Sequence, residues 1–181
     1  MPSSVVATAI AVPEPYATDL RDARYRFGDR AALVTPTHVT LLGPTDVDAA
    51  TRAAYERHLE RVAAGHEPFD VQLRGTATFR PVSPVVFVAL AKGISDCEQL
   101  ATAVRSGPVR REHDFPYHPH VTVAQEVDGD ALDRAFAELA GYQARFHVDR
   151  FTLYERIGEV WSPHRDYPLG DGGGLAEVTG G

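Results

Sequence analysis

Thr37-His38-Val39-Thr40-Leu41-Leu42-Gly43-Pro44 is the stretch on which the reading of this chain turns, because a second copy of its core, Pro119-His120-Val121-Thr122-Val123-Ala124, follows 82 positions later. Side chains alternate across a β-strand, so residues i and i+2 share a face with their Cα atoms about 7 Å apart. His38 and Thr40 then point one way, and Val39 and Leu41 the other, towards a core. His120 and Thr122 repeat that pattern over Val121 and Val123. The apolar alternates make each strand a rigid mount for its polar pair.

Working outward, prolines and glycines divide the rest. Val5 to Val12 reads as a strand stopped by Pro13-Glu14-Pro15, and Ala17 to Phe27 as a helix with Leu20, Arg24 and Phe27 at helical spacing. Thr37 to Leu42 is a strand ended by Gly43-Pro44, and Thr45 or Asp46 caps a helix marked by Val47, Ala50, Ala54, Leu59 and Val62. Gly65 and Pro68 close that helix, and Phe69 to Phe79 alternates like a half-buried strand. After Pro81 and Pro84 the pattern restarts: strand Val85 to Leu90, helix Asp96 to Val104 capped by Ser95, a loop rich in Arg and Pro, and strand His118 to Ala124. A helix follows on Leu132, Ala135, Phe136 and Leu139, then one alternating strand from Gln143 to Glu155, with Val160-Trp161 pairing to it after a turn at Gly158.

The order strand, helix, His-x-Thr strand, helix, strand therefore occurs twice. It predicts an α+β fold of two pseudo-symmetric antiparallel-sheet lobes with helices outside and a central cleft carrying both His-x-Thr strands. The expected unit is one bilobal domain over 1–169, with halves near 3–80 and 84–168 and a mobile, half-glycine tail over 170–181.

Composition bounds the function. With 44% apolar residues in a chain of 181, a globular core is expected. A formal net charge of −7 argues against wrapping long duplex nucleic acid, which needs a broad cationic surface. It leaves room for a small nucleotide or one RNA end in a local pocket. The single cysteine, Cys97, cannot form an internal disulfide, and Val5 to Val12 lacks the cationic start of a secretory signal, so a reducing cytoplasm is expected. No run approaches the roughly 20 apolar residues that span a bilayer. A monomer is expected, with no membrane partner.

The residue types set the chemistry. Imidazole titrates near neutrality, so one neutral histidine takes a proton from water while a second, protonated one gives a proton to a leaving alkoxide. A threonine hydroxyl beside each donates to a non-bridging phosphate oxygen. Two such pairs around one phosphorus supply acid, base and two oxyanion donors, with no metal and no cofactor. A metal site using His118, His120 and another histidine is the rival, without the spacing of a known zinc motif. A binding module without turnover is the other.

These two motifs resemble those of the 2H phosphoesterase superfamily, in particular its bacterial 2′-5′ RNA ligase-like branch. Phe151-Thr152-Leu153-Tyr154-Glu155 resembles the family's late strand. The resemblance implies hydrolysis of a 2′,3′-cyclic phosphate on a nucleotide or RNA end, usually to a 2′-phosphate, or reversible 2′-5′ ligation. It implies that His120 is the base, His38 the acid on the departing 3′ oxygen, and Thr40 and Thr122 the phosphate ligands. Several RNA-processing members carry arginine where this chain has Gln125, which brings no charge. Arg110, Arg111 and Arg80 are candidates to supply it, with solvated loop positions as the alternative. His118 shares the face of His120 and either lines the cleft or sits beside it. Phe115 and Tyr117 precede the second motif, where an aromatic ring either stacks on a base or packs its own loop. Phe79, with Arg80, is placed at the cleft rim. His58 and His66 read as surface groups, and Trp161 as packing.

Overall fold

The computed structural model describes residues 2–109, 111 and 115–170. In chain order the elements are β1 (Ser3–Ala11), α1 (Tyr16–Arg26), a 3-10 turn (Arg30–Leu33), β2 (His38–Asp48), α2 (Ala49–Ala64), β3 (Phe69–Thr78), β4 (Val85–Lys92), α3 (Ile94–Arg105), β5 (His120–Gln125), α4 (Gly129–Glu138), β6 (Gln143–Val148), β7 (Arg150–Ile157) and β8 (Val160–Pro168). The doubled element order is thus present. The tail from 171 onward lies outside the described residues, as does Arg110.

Two four-stranded antiparallel sheets result, with strand orders β2-β1-β7-β8 and β5-β4-β3-β6. They do not coincide with the two halves of the chain. β3, from the first half, pairs with β4 and β6 of the second. β7, from the second half, pairs with β1 of the first. The helices cross over as well: α1 packs on β5, and α3 packs on β2. Each half therefore builds part of the other's lobe.

Several boundaries move for identifiable reasons. β2 runs on through Gly43-Pro44 to Asp48, its later residues pairing as Val5↔Asp46 and Val6↔Thr45. Pro44 is tolerated because β2 is an edge strand, where a missing N–H breaks no ladder on its open side. The cap of α2 is accordingly Asp48, whose Oδ1 accepts from Thr51 N at 2.7 Å, rather than Thr45 or Asp46. α3 starts at Ile94 behind Gly93 instead of Ser95. Gly93 has φ +90°, and a Cβ there would lie 2.8 Å from the Asp70 carbonyl oxygen, so both conformation and space demand glycine. The stretch 143–155 is two strands in different sheets. Ala144 and Val148 are buried on one face of β6, whereas Phe151, Thr152, Leu153 and Tyr154 are all buried, as befits the interior strand β7.

Packing fixes the mounts of the two motifs. Val39, Leu41, Val121 and Val123 are each at most 1% exposed. Fully buried Tyr55 of α2 locks the first sheet from behind, its hydroxyl 2.6 Å from the Thr8 hydroxyl on β1.

Candidate active site

β2 and β5 are the edge strands of their sheets, and they approach each other across the cleft. An exposed edge invites stray pairing. Here each edge is held by side chains from the opposite half. Tyr117 Oη donates to Thr40 O at 2.8 Å, Arg105 Nε to Leu41 O at 2.8 Å, and Arg111 Nη1 to Pro44 O. In return Asp29 Oδ2 accepts from Gln125 N at 2.9 Å. The two motifs are clamped face to face.

Their polar faces open into one cleft of about 360 Å³ lined by His38, Thr40, His120, Thr122, Gln125, Glu126, Arg24, Asp29, Ala31 and Thr35. Both imidazoles are held alike. His38 Nδ1 lies 2.6 Å from Pro36 O, and His120 Nδ1 lies 2.7 Å from His118 O. A carbonyl oxygen only accepts, so Nδ1 carries the hydrogen in both rings, and Nε2 is left as base when neutral and donor when protonated. Burial is the main cause that pushes both pKa values below the ordinary 6.5, against the backbone hydrogen bonds that raise them. Arg24 adds to the depression at His38, and His38 and His118 add to it at His120. Burial thus favours the neutral form of both rings, and the neighbouring His38 further disfavours charge on His120.

Other residues around the pair differ from side to side. His120 is flanked by aromatic rings: Phe79 at 5.0 Å in an edge arrangement and Phe87 at 5.1 Å. His118 packs on the same two rings at 6.1 and 5.6 Å. On the His38 side an apolar recess of about 130 Å³ shares Thr35, His38 and Thr40 with the cleft as wall residues. Small side chains of β1, Ala7 and Ala9, line it together with Pro36, Pro44, Tyr154 and Trp161.

The structure brings together His38, Thr40, His120, Thr122 and Gln125, and seats Phe79 against His120. Tyr117 is a strut, its hydroxyl on Thr40 O and its ring under the Arg105 guanidinium at 4.8 Å. Arg111 braces Pro44, and Arg80 pairs with Asp133 at 2.8 Å; neither lines the cleft. Phe115 is 63% exposed. His58 is half-buried with Nε2 2.8 Å from Ala103 O, a brace between α2 and α3 in place of a surface group, and His66 Nδ1 is 2.7 Å from Val62 O. Trp161 lines the recess, where packing alone was expected.

Sequence reasoning missed Arg24, Asp29, Phe87 and the recess. Arg24 sits in the apolar stripe of α1 between Leu20 and Phe27, and is only 8% exposed. An arginine in such a stripe with an acid five residues on signals a buried ion pair, and Arg24 Nε lies 2.7 Å from Asp29 Oδ2. Asp29 also accepts from Ala31 N at 3.0 Å, capping the 3-10 turn. Three parts of the molecule meet on one carboxylate.

Comparison with known proteins bears on the family and the fold. A protein of Oceanobacillus iheyensis, provisionally named a phosphoesterase, is 29% identical over 150 residues, covering 81% of this chain and 87% of its own. One of Halalkalibacterium halodurans, similarly named, is 26% identical over 150 residues, covering 81% and 86%. Among solved structures, Escherichia coli LigT complexed with 3′-AMP superposes with a TM-score of 0.67 at 19% identity, covering 93% of this chain and 99% of that one. A protein of Thermus thermophilus, TT0787, gives 0.66 at 22% identity, covering 91% and 97%. Both share the fold. Residues 12–159 match the 2′-5′ RNA ligase superfamily, which takes in both His-x-Thr strands and the cleft between them, and the chain belongs to that family.

Proposed function

We propose that this phosphoesterase-like protein hydrolyses a 2′,3′-cyclic phosphate on a nucleotide or RNA end, by two-histidine general acid–base catalysis without a metal. The observation that carries the reading is the matched pair of imidazoles on facing strands, each with Nδ1 tied to a backbone carbonyl and Nε2 free of any partner among the described residues. One ring takes a proton and the other gives one, and the pair is restored by exchange with solvent.

His120 Nε2 accepts a proton from water as the water oxygen bonds to phosphorus. The P–O3′ bond breaks, and His38 Nε2–H delivers its proton to the departing 3′ oxygen, leaving a 2′-phosphate. Thr40 and Thr122 donate to the non-bridging oxygens. His38 takes its proton from solvent as the substrate binds, because a phosphodiester anion in the cleft favours imidazolium and offsets the burial that disfavours it. With His38 on the nucleoside side, the recess walled by Trp161 and Tyr154 takes the base. LigT has been solved with 3′-AMP, NADP+ and ATP, and its shared fold supports a small nucleotide as the ligand class here.

The test is a product assay on 2′,3′-cyclic nucleotides and on RNA with a cyclic-phosphate end, separating 2′- from 3′-phosphate. Turnover to a 2′-phosphate is expected. Tight binding without turnover by the unaltered protein would replace this reading with that of a nucleotide-binding module.

A further inference from the structure

We infer that Arg24, on the first helix and outside both motifs, is the cation that holds the substrate phosphate, oriented by Asp29. The inference rests on the phosphodiester reading above. The cleft is lined by three residues of fixed charge, Arg24, Asp29 and Glu126, and Arg24 is the one cation among them. Gln125, at the end of the second motif, is neutral.

Arg24 is 8% exposed and Asp29 5% exposed, so both charges are nearly withdrawn from water, yet both line the cleft. A buried arginine needs partners for its donors. Nε is used on Asp29 Oδ2 at 2.7 Å. No hydrogen bond from either Nη is present among the described residues, and neither Nη is sealed from solvent without a partner. The remaining edge of a guanidinium fork fits two oxygens of a phosphate, the geometry in which arginine surpasses lysine. The ring of His38 feels the same charge.

Asp29 explains why the cation stays in place. Its Oδ1 accepts from Ala31 N and its Oδ2 from Gln125 N and Arg24 Nε. The carboxylate thus fixes the guanidinium relative to β5, which carries His120. An arginine supplied by α1 and pinned to β5 keeps one position relative to both histidines. Asp29 and Glu126 also leave the lining without net positive charge. The site therefore suits a monoanionic diester held by directed donors, more than a polyphosphate held by bulk attraction.

The probe is inorganic phosphate, followed by ³¹P NMR and by competition with substrate. Arg24→Gln alone would strand the buried Asp29 carboxylate, so the informative variant is Arg24→Gln with Asp29→Asn, whose fold is checked by its thermal transition. It is expected to weaken phosphate binding about 10- to 100-fold, the range for losing hydrogen bonds to a charged group. Adding Gln125→Arg to that background should recover part of the affinity by returning a cation to the cleft. Arg24→Lys should fold as the parent does and bind phosphate more weakly, because the fork is lost. A second measurement leaves the chain unaltered: the Arg24 Nε and Nη signals, assigned with the lysine variant, should shift when phosphate is added. Unchanged phosphate affinity in the folded double variant, or unmoved Arg24 signals in the parent at saturating phosphate, overturns the inference. Phosphate binding that depends on Arg24 without turnover of any cyclic phosphate keeps the anion site and rejects the hydrolytic reading instead.

Discussion

The two His-x-Thr strands are near copies in sequence and hold their imidazoles by the same backbone device, but their neighbourhoods are opposites. Around His120 the wall is aromatic and closed, with Phe79 and Phe87 against the ring. Around His38 it opens into a recess and carries a buried charge at Arg24. The helices preceding the two strands make the contrast sharper, since each carries an arginine in its last turn. Arg105 of α3 is used up on Leu41 O and the Tyr117 ring. Arg24 of α1 is held on Asp29 and faces the cleft. The two mounts are alike, and what differs is their surroundings: aromatic rings against His120, an apolar recess and a buried cation beside His38.

The comparison breaks most visibly at the histidines. His38→Ala and His120→Ala should each lower kcat by about 10²–10⁴-fold while leaving nucleotide affinity within a few-fold. The double variant should be little worse than either, since the pair acts as a unit. A single variant that keeps near-parental turnover in the cyclic-phosphate assay would show that the two sides are not partners. Next in size is the junction at Asp29. Asp29→Ala strips the charge partner from buried Arg24, and should cost about 3–5 kcal/mol in denaturant unfolding. Asp128→Ala, which removes the cap hydrogen bond to Ala131 N at the start of α4, should cost only about 0.5–2 kcal/mol. Equal losses would demote Asp29 to an ordinary helix cap.

Trp161→Ala tests the open side. If the recess takes the base, KM should rise by the loss of about 1–3 kcal/mol of stacking, with kcat nearly unchanged. A fall in kcat at constant KM would place Trp161 with the catalytic wall instead. The smallest effect is in pH. Both rings are held below 6.5 by burial, so in the free enzyme the required imidazolium is scarce at neutrality. The optimum of kcat/KM is therefore expected on the acid side of 6.5, with kcat displaced to higher pH by the bound anion. A flat profile between about pH 5 and 8 would sink two-histidine catalysis. Stability runs the opposite way: below 6.5 the unfolded rings take protons that the folded ones resist, so the fold weakens as pH falls through that range. Replacing both histidines with asparagine should flatten that loss.

What was legible in the sequence is what local pattern controls. The alternation around His38 and His120 fixed which side chains share a face, and Val39, Leu41, Val121 and Val123 lie where it put them. The doubled element order was legible for the same reason. Pattern does not reveal which sheet a strand joins. Gln143 to Glu155 reads as one strand-like stretch with only a phase slip at Asp149-Arg150, yet Val148 closes one sheet and Phe151 enters another. Nor does it reveal partners far along the chain: Tyr117 is a strut because Thr40 O lies across the cleft, and Arg24 lines the site because α1 packs on β5. The extension of β2 through Pro44 was hidden because proline ends a strand except at an edge, and edges are set by topology.

The exchange of strands and helices between the halves bears on how the protein is made. β1 is synthesised well before one of its sheet neighbours, β7, which comes about 145 residues later, and β8 lies beyond that. The first sheet is therefore incomplete until β7 and β8 have left the ribosome, and until then His38 waits on the pair β1 and β2. Cutting the proline-rich link between β3 and β4 should yield two fragments, the first lacking β7 and β8 of its sheet and the second lacking β3 of its own. They would regain the cleft only by binding each other.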